Sequence, residues 1–482
     1  MKKTIVAFIL FFTAIGYGYS QGTPTQDNRQ EWQKMNASKQ TAIEEFKDSK
    51  FGLFIHWGLY SIPAGIWKGV PIEESKNHKH IAEWIQYSFE IPRAEYAELA
   101  KEFNPTAFDA DAIARLAKDA GMKFIVFTSK HHDGFAMFDS KCSSYDIVDA
   151  TPYHKDVVEA LYKACQKYGL GFGLYYSQNI DWGEGGDCGY AAENLRRKAT
   201  GPDKFEAANT WDPSPNTFED YIDNKGIPQV KELFTMCPNI NQLWYDVPKY
   251  LRPEQSFRFY KAAYDMQPKA LINSRVGNGF GDFEVAGDNQ ILDKTKTTPW
   301  QTVGTLNNSW GYKSYDNDWK SPKELIYWLV DIVSKGGNYL LNIGPRGDGS
   351  VPEQSVKDLT TIGKWLRING EGIYATKPWT INHEGPYDGK VKGTDSREKD
   401  GFNGNFSNED FWFTTKGNSV YVFCLQPSAR EIVVRSFAGA KISSVSLLGY
   451  KHCLKWDSKN DGLHISLPKH LPSDFGFALK IN

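Results

Sequence analysis

The sequence predicts an α/β chain: a (β/α)8-like, TIM-type barrel followed by a C-terminal antiparallel β-sandwich. Three observations carry the prediction. The chain has 482 residues, enough for one large domain and one accessory domain. From about residue 50 to 345, short apolar runs alternate with segments of helical period, the pattern of a parallel sheet wrapped by helices. Beyond Pro378 the texture changes to short strands parted by turn residues, several alternating apolar with polar positions.

In order along the chain, Phe51 to His56 reads as a buried strand and Asp111 to Ala120 as a helix closed by Gly121. Phe124 to Thr128 is the next strand. Asp156 to Tyr168 has apolar residues at helical spacing and ends at Gly169. Gly171 to Tyr176, Leu243 to Asp246, Ala270 to Asn273 and Tyr339 to Ile343 continue the strand series. In the C-terminal part the strands are Phe411–Thr415, Val420–Leu425, Glu431–Arg435, Val445–Leu448, Leu463–Leu467 and Phe477–Ile481. Asn382 to Phe406, rich in Gly, Asn and charge, reads as a linker or long loop. The expected division is residues 1–20 signal peptide, 21–380 barrel and 381–482 sandwich.

The N-terminal expectation rests on Lys2 and Lys3, the apolar run Ile5 to Ile15, and the small residues Gly16, Gly18 and Ser20. It implies export to a periplasm or the outside. The run is too short to span a bilayer, and no membrane span is expected elsewhere. Charge is nearly balanced, 56 basic against 58 acidic residues, with no long run of one sign, so no nucleic-acid partner is expected. Oligomer formation is left open. The six cysteines lack motif spacing; Cys165 and Cys424 fall in apolar stripes and read as small buried hydrophobes. Aromatic content is high, with Trp 15, Tyr 25 and Phe 29. Most of these rings fill a core, and some suit the apolar C–H faces of sugars.

Polar residues recur where strands end. His56, His131, His132, Tyr175, Asp246 and Arg275 each lie at or just past the C-terminal end of an apolar run. In a parallel barrel that face carries the chemistry, and core packing does not account for polar residues there.

A set of motifs extends this reading: Lys50 to Gly58, Glu83-Trp84, Ala120 to Phe135, Gly173 to Ser177, Leu243 to Asp246, Asn273 to Arg275, Ser309 to Tyr312, and Gly336 to Pro345. Taken together, in this order, they resemble the α-L-fucosidases of glycoside hydrolase family 29. The resemblance implies an exo-acting, retaining hydrolase that releases terminal α-L-fucose from fucosylated glycans by double displacement, with neither metal nor organic cofactor. It assigns Asp246 as nucleophile, which suits a carboxylate at a strand end beneath a sugar; a helix cap or structural ion pair is the other use of an aspartate there. Trp244 lies two residues earlier, on the same strand face.

His56, His131 and His132 resemble sugar-hydroxyl ligands, since imidazoles both donate and accept. A metal site and satisfied core histidines are the alternatives, and adjacent histidines on a strand are expected to point their rings to opposite sides. Glu83, Trp84, Tyr175, Arg275 and Trp310 match further pocket positions. The general acid/base departs from the family pattern. Ungapped alignment places Gly287 and Gln301 where glutamates are common, leaving Glu284 and Asp288. Glu284 is preferred, because burial beside Phe283 would raise its pKa, with Asp288 as the alternative. An α-L-galactosidase of the same fold and mechanism, or a sugar-binding homologue lacking catalysis, are the competing readings.

Overall fold

A computed structural model describes residues 24–77, 79–184, 209–248, 251–391, 402–426 and 430–482. The expected signal peptide and Cys188 lie outside them. Eight strands form one parallel sheet: β1 Phe51–Ile55, β2 Phe124–Lys130, β3 Gly171–Tyr176, β4 Gln242–Tyr245, β5 Leu271–Ile272, β6 Glu284–Val285, β7 Trp300–Thr305 and β8 Asn338–Ile343. Each pairs with its sequence neighbour, and β1 also pairs with β8, Phe51 opposite Tyr339. The remaining seam, β5 to β6, closes through a parallel bridge between Asn273 and Phe283. There Asp282 N–H donates to the Ile272 carbonyl (2.6 Å) and Ser274 N–H to the Phe283 carbonyl (2.8 Å). The sheet is a barrel, as the alternating pattern predicts.

Side chains alternate across the barrel wall, as strand geometry requires. Phe54, Phe124, Val126, Tyr175, Trp244, Phe283, Val303 and Leu340 pack together inside. Leu53, Ile55, Ile125, Phe127, Leu174 and Leu341 face the outer layer. Gly52 is small because a Cβ there would meet the Phe124 ring at 2.2 Å.

Two N-terminal helices, α1 Gln26–Ala37 and α2 Gln40–Ser49, precede the barrel. Ile43 and Phe46 of α2 join the interior cluster and plug one end of it. The outer layer is α3 Ala110–Asp119, α4 Val157–Tyr168, α5 Ile227–Met236, α6 Pro253–Met266, α7 Pro322–Ser334 and α8 Glu353–Asn369. Asp109 and Asp156 cap α3 and α4 by accepting from the third residue on, and Gly169 ends α4 in the left-handed region. No α-helix lies between β5 and β6 or between β6 and β7. The ring is therefore incomplete on that side, where α1 packs against the loop carrying Asn278, Gly279 and Phe280. Lys39 Nζ reaches Asp282 (2.6 Å), both side chains being fully buried.

The C-terminal unit consists of β9 Lys377–Glu384, β10 Phe411–Lys416, β11 Ser419–Cys424, β12 Glu431–Val434, β13 Val445–Leu447, β14 Lys455–Lys459, β15 Gly462–Ser466 and β16 Phe477–Ile481. They form two antiparallel sheets, ordered β9-β10-β11-β16-β13 and β12-β15-β14. Phe411, Phe413, Val422, Ile432, Leu463 and Leu479 fill the space between the sheets. The other face of the larger sheet presents Trp412, Tyr421, Phe423 and Ala478 to the barrel cluster. Trp412 Nε1 donates to Asp331 on α7 (3.2 Å), and Trp365 Nε1 on α8 donates to the Gly476 carbonyl (3.1 Å).

The expected linker from Asn382 to Phe406 requires correction at its start. Asn382, His383 and Glu384 belong to β9, where His383 pairs with Trp412. Val391, farther on, is buried and its carbonyl accepts from Ile291 N–H (3.0 Å). Cys165 and Cys424 are buried free thiols, as their apolar stripes suggest.

Candidate active site

The carboxyl ends of the barrel strands bring the predicted polar residues to one place. Asp246 follows β4 directly and is 9% exposed. Its Oδ1 accepts from Arg275 (2.7 Å) and from the Val247 N–H (2.9 Å); its Oδ2 accepts from the Tyr175 hydroxyl (2.9 Å). Burial works to raise its pKa, but the Arg275 charge and these hydrogen bonds outweigh burial and hold the carboxyl below the usual aspartate range. Val247 takes φ 48°, a strained value for a β-branched residue. The turn after the strand thus departs from ordinary backbone geometry where the carboxylate is presented.

The aromatic floor is continuous. Tyr175 stacks on Trp244 (centroids 5.8 Å, 18°), and the Arg275 guanidinium lies 4.8 Å from the Trp244 ring. Trp244 Nε1 donates to Gln301 (3.0 Å), so this buried amide orients a ring. His131 stacks on Tyr175 (5.5 Å, 11°), and His56 lies 5.4 Å from Tyr175 and 5.2 Å from Trp310. Trp84 meets His132 edge-on at 5.2 Å, with Trp182 behind both.

The adjacent histidines correct one expectation. Their rings do not diverge; the centroids are 4.2 Å apart. The reason is that β2 ends at Lys130, so strand alternation no longer governs residues 131 and 132.

All three histidines are buried, and burial is the main cause of their low pKa values. His56 falls to about 4, His132 to about 3, and His131 well below its usual value. They are therefore neutral near pH 7, and the hydrogen-bond network sets their tautomers. Asn342 Nδ2 donates to the Trp310 carbonyl (2.8 Å), so its Oδ1 accepts from His56 Nδ1 (2.7 Å). Ser177 Oγ donates to the Ile180 carbonyl (2.7 Å) and accepts from His132 Nδ1 (2.6 Å). Both Nε2 atoms then carry lone pairs. That of His132 lies 3.7 Å from Asp246 Oδ2, so an acceptor nitrogen stands beside the carboxylate.

Glu83 sits in a short 3-10 turn, Ala82–Trp84, in the long connection after β1. Its Oε2 accepts from Gly311 N–H (2.8 Å), which locks this turn to the loop bearing Trp310. Burial, partly offset by that hydrogen bond, lifts the Glu83 carboxyl to about 7.

The two acid/base candidates part company. Glu284 lies between Phe283 and Val285, which face the barrel interior, so it faces outward. It pairs with Lys296 (2.5 Å), whose N–H bonds to the Lys335 carbonyl shortly before β8 begins. The structure does not bring Glu284 to the cluster, nor is it buried as expected beside Phe283. Asp288, half exposed beyond β6, accepts from the same guanidinium that binds Asp246. Among the described residues no group of three or more His, Cys, Asp or Glu side chains could hold a metal ion.

Sequence reading gave no role to the residues that support this cluster: Asn342 within β8 and Ser177, both inside the motifs quoted above, and Gln178 and Trp182 just after β3. A polar run, Ser177-Gln178-Asn179, directly following an apolar strand was the available signal.

The alpha-L-fucosidase family model matches residues 19–371, and the model of the alpha-L-fucosidase C-terminal domain matches residues 404–482. The tissue alpha-L-fucosidase of Homo sapiens is 27% identical, over 98% of this chain and 96% of its own. Among solved structures, the alpha-L-fucosidase from Vibrio sp. strain EJY3 aligns with a TM-score of 0.74 and 29% identity, covering 95% of this chain and 73% of that one. Alpha-L-fucosidase AlfC from Lactobacillus casei, solved with alpha-L-fucose product, is 42% identical at a TM-score of 0.60, covering 67% of this chain and 97% of that one. With nearly three-quarters of its length matched by the first family model, and the two-domain fold in common, the chain belongs to the alpha-L-fucosidase family.

Proposed function

We propose that the protein is an exo-acting, retaining α-L-fucosidase in which Asp246 is the nucleophile and Asp288 the general acid/base. The observation that carries this reading is the environment of Asp246, a buried carboxylate kept ionised at a barrel strand end by Arg275 and Tyr175. Asp246 attacks the anomeric carbon while Asp288 gives a proton to the departing glycosidic oxygen. Asp288 then takes a proton from water, which attacks the same carbon and releases Asp246. Asp288 takes the role in place of Glu284 because it stands on the nucleophile's side of the barrel, where it would have to leave Arg275 to reach the glycosidic oxygen, whereas Glu284 is held by Lys296 on the outer face. Retention calls for a carboxyl separation of about 5–5.5 Å in the sugar complex.

The pocket residues fit a neutral sugar. Uncharged His56, His131 and His132 present ring nitrogens to hydroxyls, and His132 Nε2 stands beside Asp246, where it can accept from a sugar hydroxyl near the anomeric carbon. Trp84, Trp244 and Trp310 supply ring faces for the C–H surface of the deoxy-sugar. The chemistry requires no cofactor. No helix among the described residues is long and apolar enough to cross a membrane; export through the N-terminal leader remains part of the proposal.

A hydrolysis panel tests the reading. Aryl α-L-fucoside, aryl α-L-galactoside and natural fucosyl oligosaccharides are offered, with the first-formed anomer read by NMR. Release of fucose as the α-anomer is expected. Faster cleavage of the galactoside would reassign the substrate, an inverted product would overturn the mechanism, and no turnover at all would favour a binding protein.

A further inference from the structure

We infer that Gln178 is a positioning residue that fixes the nucleophile and its arginine relative to each other through their backbones. The inference rests on Asp246 being the nucleophile. The strands that present Asp246 and Arg275 are short: β4 has four residues and β5 two, and their ladder ends at Leu243 opposite Ile272. Both functional side chains stand beyond that point, where backbone pairing no longer sets the spacing. Side-chain amides carry it on. Asn273 Oδ1 accepts from Tyr245 N–H (3.0 Å) and its Nδ2 donates to the Tyr245 carbonyl (2.8 Å).

One residue farther out, Gln178, arriving from β3 and fully buried, accepts from Asp246 N–H at Oε1 (2.9 Å). It donates from Nε2 to the Arg275 carbonyl (2.8 Å). One side chain thus holds a donor on Asp246 and an acceptor on Arg275, and only a neutral amide of this length, in this orientation, satisfies both. Asp246 and Arg275 are joined a second time through their side chains at 2.7 Å, so the two links form a closed loop. Arg275 also binds Asp288. Slack at its carbonyl would therefore displace both proposed catalytic carboxyls together.

The test compares Gln178→Leu, which removes both hydrogen bonds, with the isosteric Gln178→Glu, which keeps only the acceptor. Each is made in the full chain and assayed on an aryl α-L-fucoside. Active sites are counted by a fluorinated L-fucosyl inactivator, and L-fucose inhibition reports pocket affinity. A misplacement near 1 Å costs about 10²-fold, so kcat per active site should fall by about that factor in Gln178→Leu and by less in Gln178→Glu. Fucose affinity should stay within about threefold of wild type in both, because the sugar-facing rings are untouched. A residue needed only for folding would lower the number of active sites and leave kcat per site unchanged; that result overturns the inference. So does a loss of fucose affinity equal to the loss of kcat. If Gln178→Leu does not fold, Gln178→Glu decides between these outcomes alone. Asp246→Ala run alongside separates the levels: turnover in that variant refutes the nucleophile, whereas wild-type kcat per site in the Gln178 variants refutes only its positioning.

Discussion

Replacing Glu83 by glutamine removes a pH-dependent share of the protein's stability. The carboxyl is 1% exposed, and burial is the main cause of its rise from an ordinary 4.5 to about 7. In the unfolded chain it titrates near its ordinary value, so between about pH 4.5 and 7 the folded protein binds one proton more than the unfolded one. Stability from this group is complete below pH 4.5 and is lost as pH rises through 7. The difference of roughly 2.5 pKa units, at about 1.36 kcal/mol per unit, corresponds to about 3 kcal/mol. Glutamine still offers an oxygen to Gly311 N–H and does not titrate. Urea unfolding of wild type and Glu83→Gln, measured from pH 4.5 to 8.5, should show the wild type losing about 3 kcal/mol relative to the variant across that range. Parallel stability curves would mean that Glu83 is not held protonated, and would refute the burial argument for this side of the pocket.

Three further outcomes follow from the geometry. Arg275→Met removes the charge that keeps Asp246 ionised, so the acidic limb of kcat/KM on an aryl fucoside should move up by about 1–3 pH units; an unmoved limb contradicts the pairing. Lys39→Met strands the buried Asp282 carboxylate with only neutral donors, and unfolding measurements should show a loss of about 3–5 kcal/mol. Trp412→Ala opens a hole where the sandwich meets α7, and should cost about 3–5 kcal/mol by the same measurement; a negligible loss would mark the sandwich as an independent module.

The six barrel strands legible in the sequence are those with mainly apolar runs, buried on both faces and bounded by turns. β6 has two residues, and β7, Trp300–Thr305, mixes polar side chains into a fully buried strand. Neither shows an apolar run. Gln301 is polar because it orients Trp244 inside the barrel, a reason visible only in three dimensions. In the sandwich, β14 (Lys455–Lys459) is mostly exposed and lacks the alternation that marked its neighbours.

At the site, the residues found by resemblance and strand-end position converge: His56, Glu83, Trp84, His131, His132, Tyr175, Trp244, Asp246, Arg275 and Trp310 form one connected cluster. The choice between Glu284 and Asp288 was not legible from spacing. The proposed preference for Asp288 rests on Glu284 facing outward from the two-residue β6, on Asp288 standing beyond that strand beside Arg275, and on Lys296, twelve positions away from Glu284. The supporting amides Gln178 and Asn342 act on backbone and imidazole across strands, contacts that leave no local pattern.

The proposed chemistry requires Asp246 to bond to the sugar during turnover. A fluorinated L-fucosyl fluoride, reacted to completion and followed by proteolysis and mass spectrometry, should leave one fucosyl group on the peptide containing Asp246. A label on another carboxylate, or complete turnover of the reagent with no adduct and an inverted product, would contradict it.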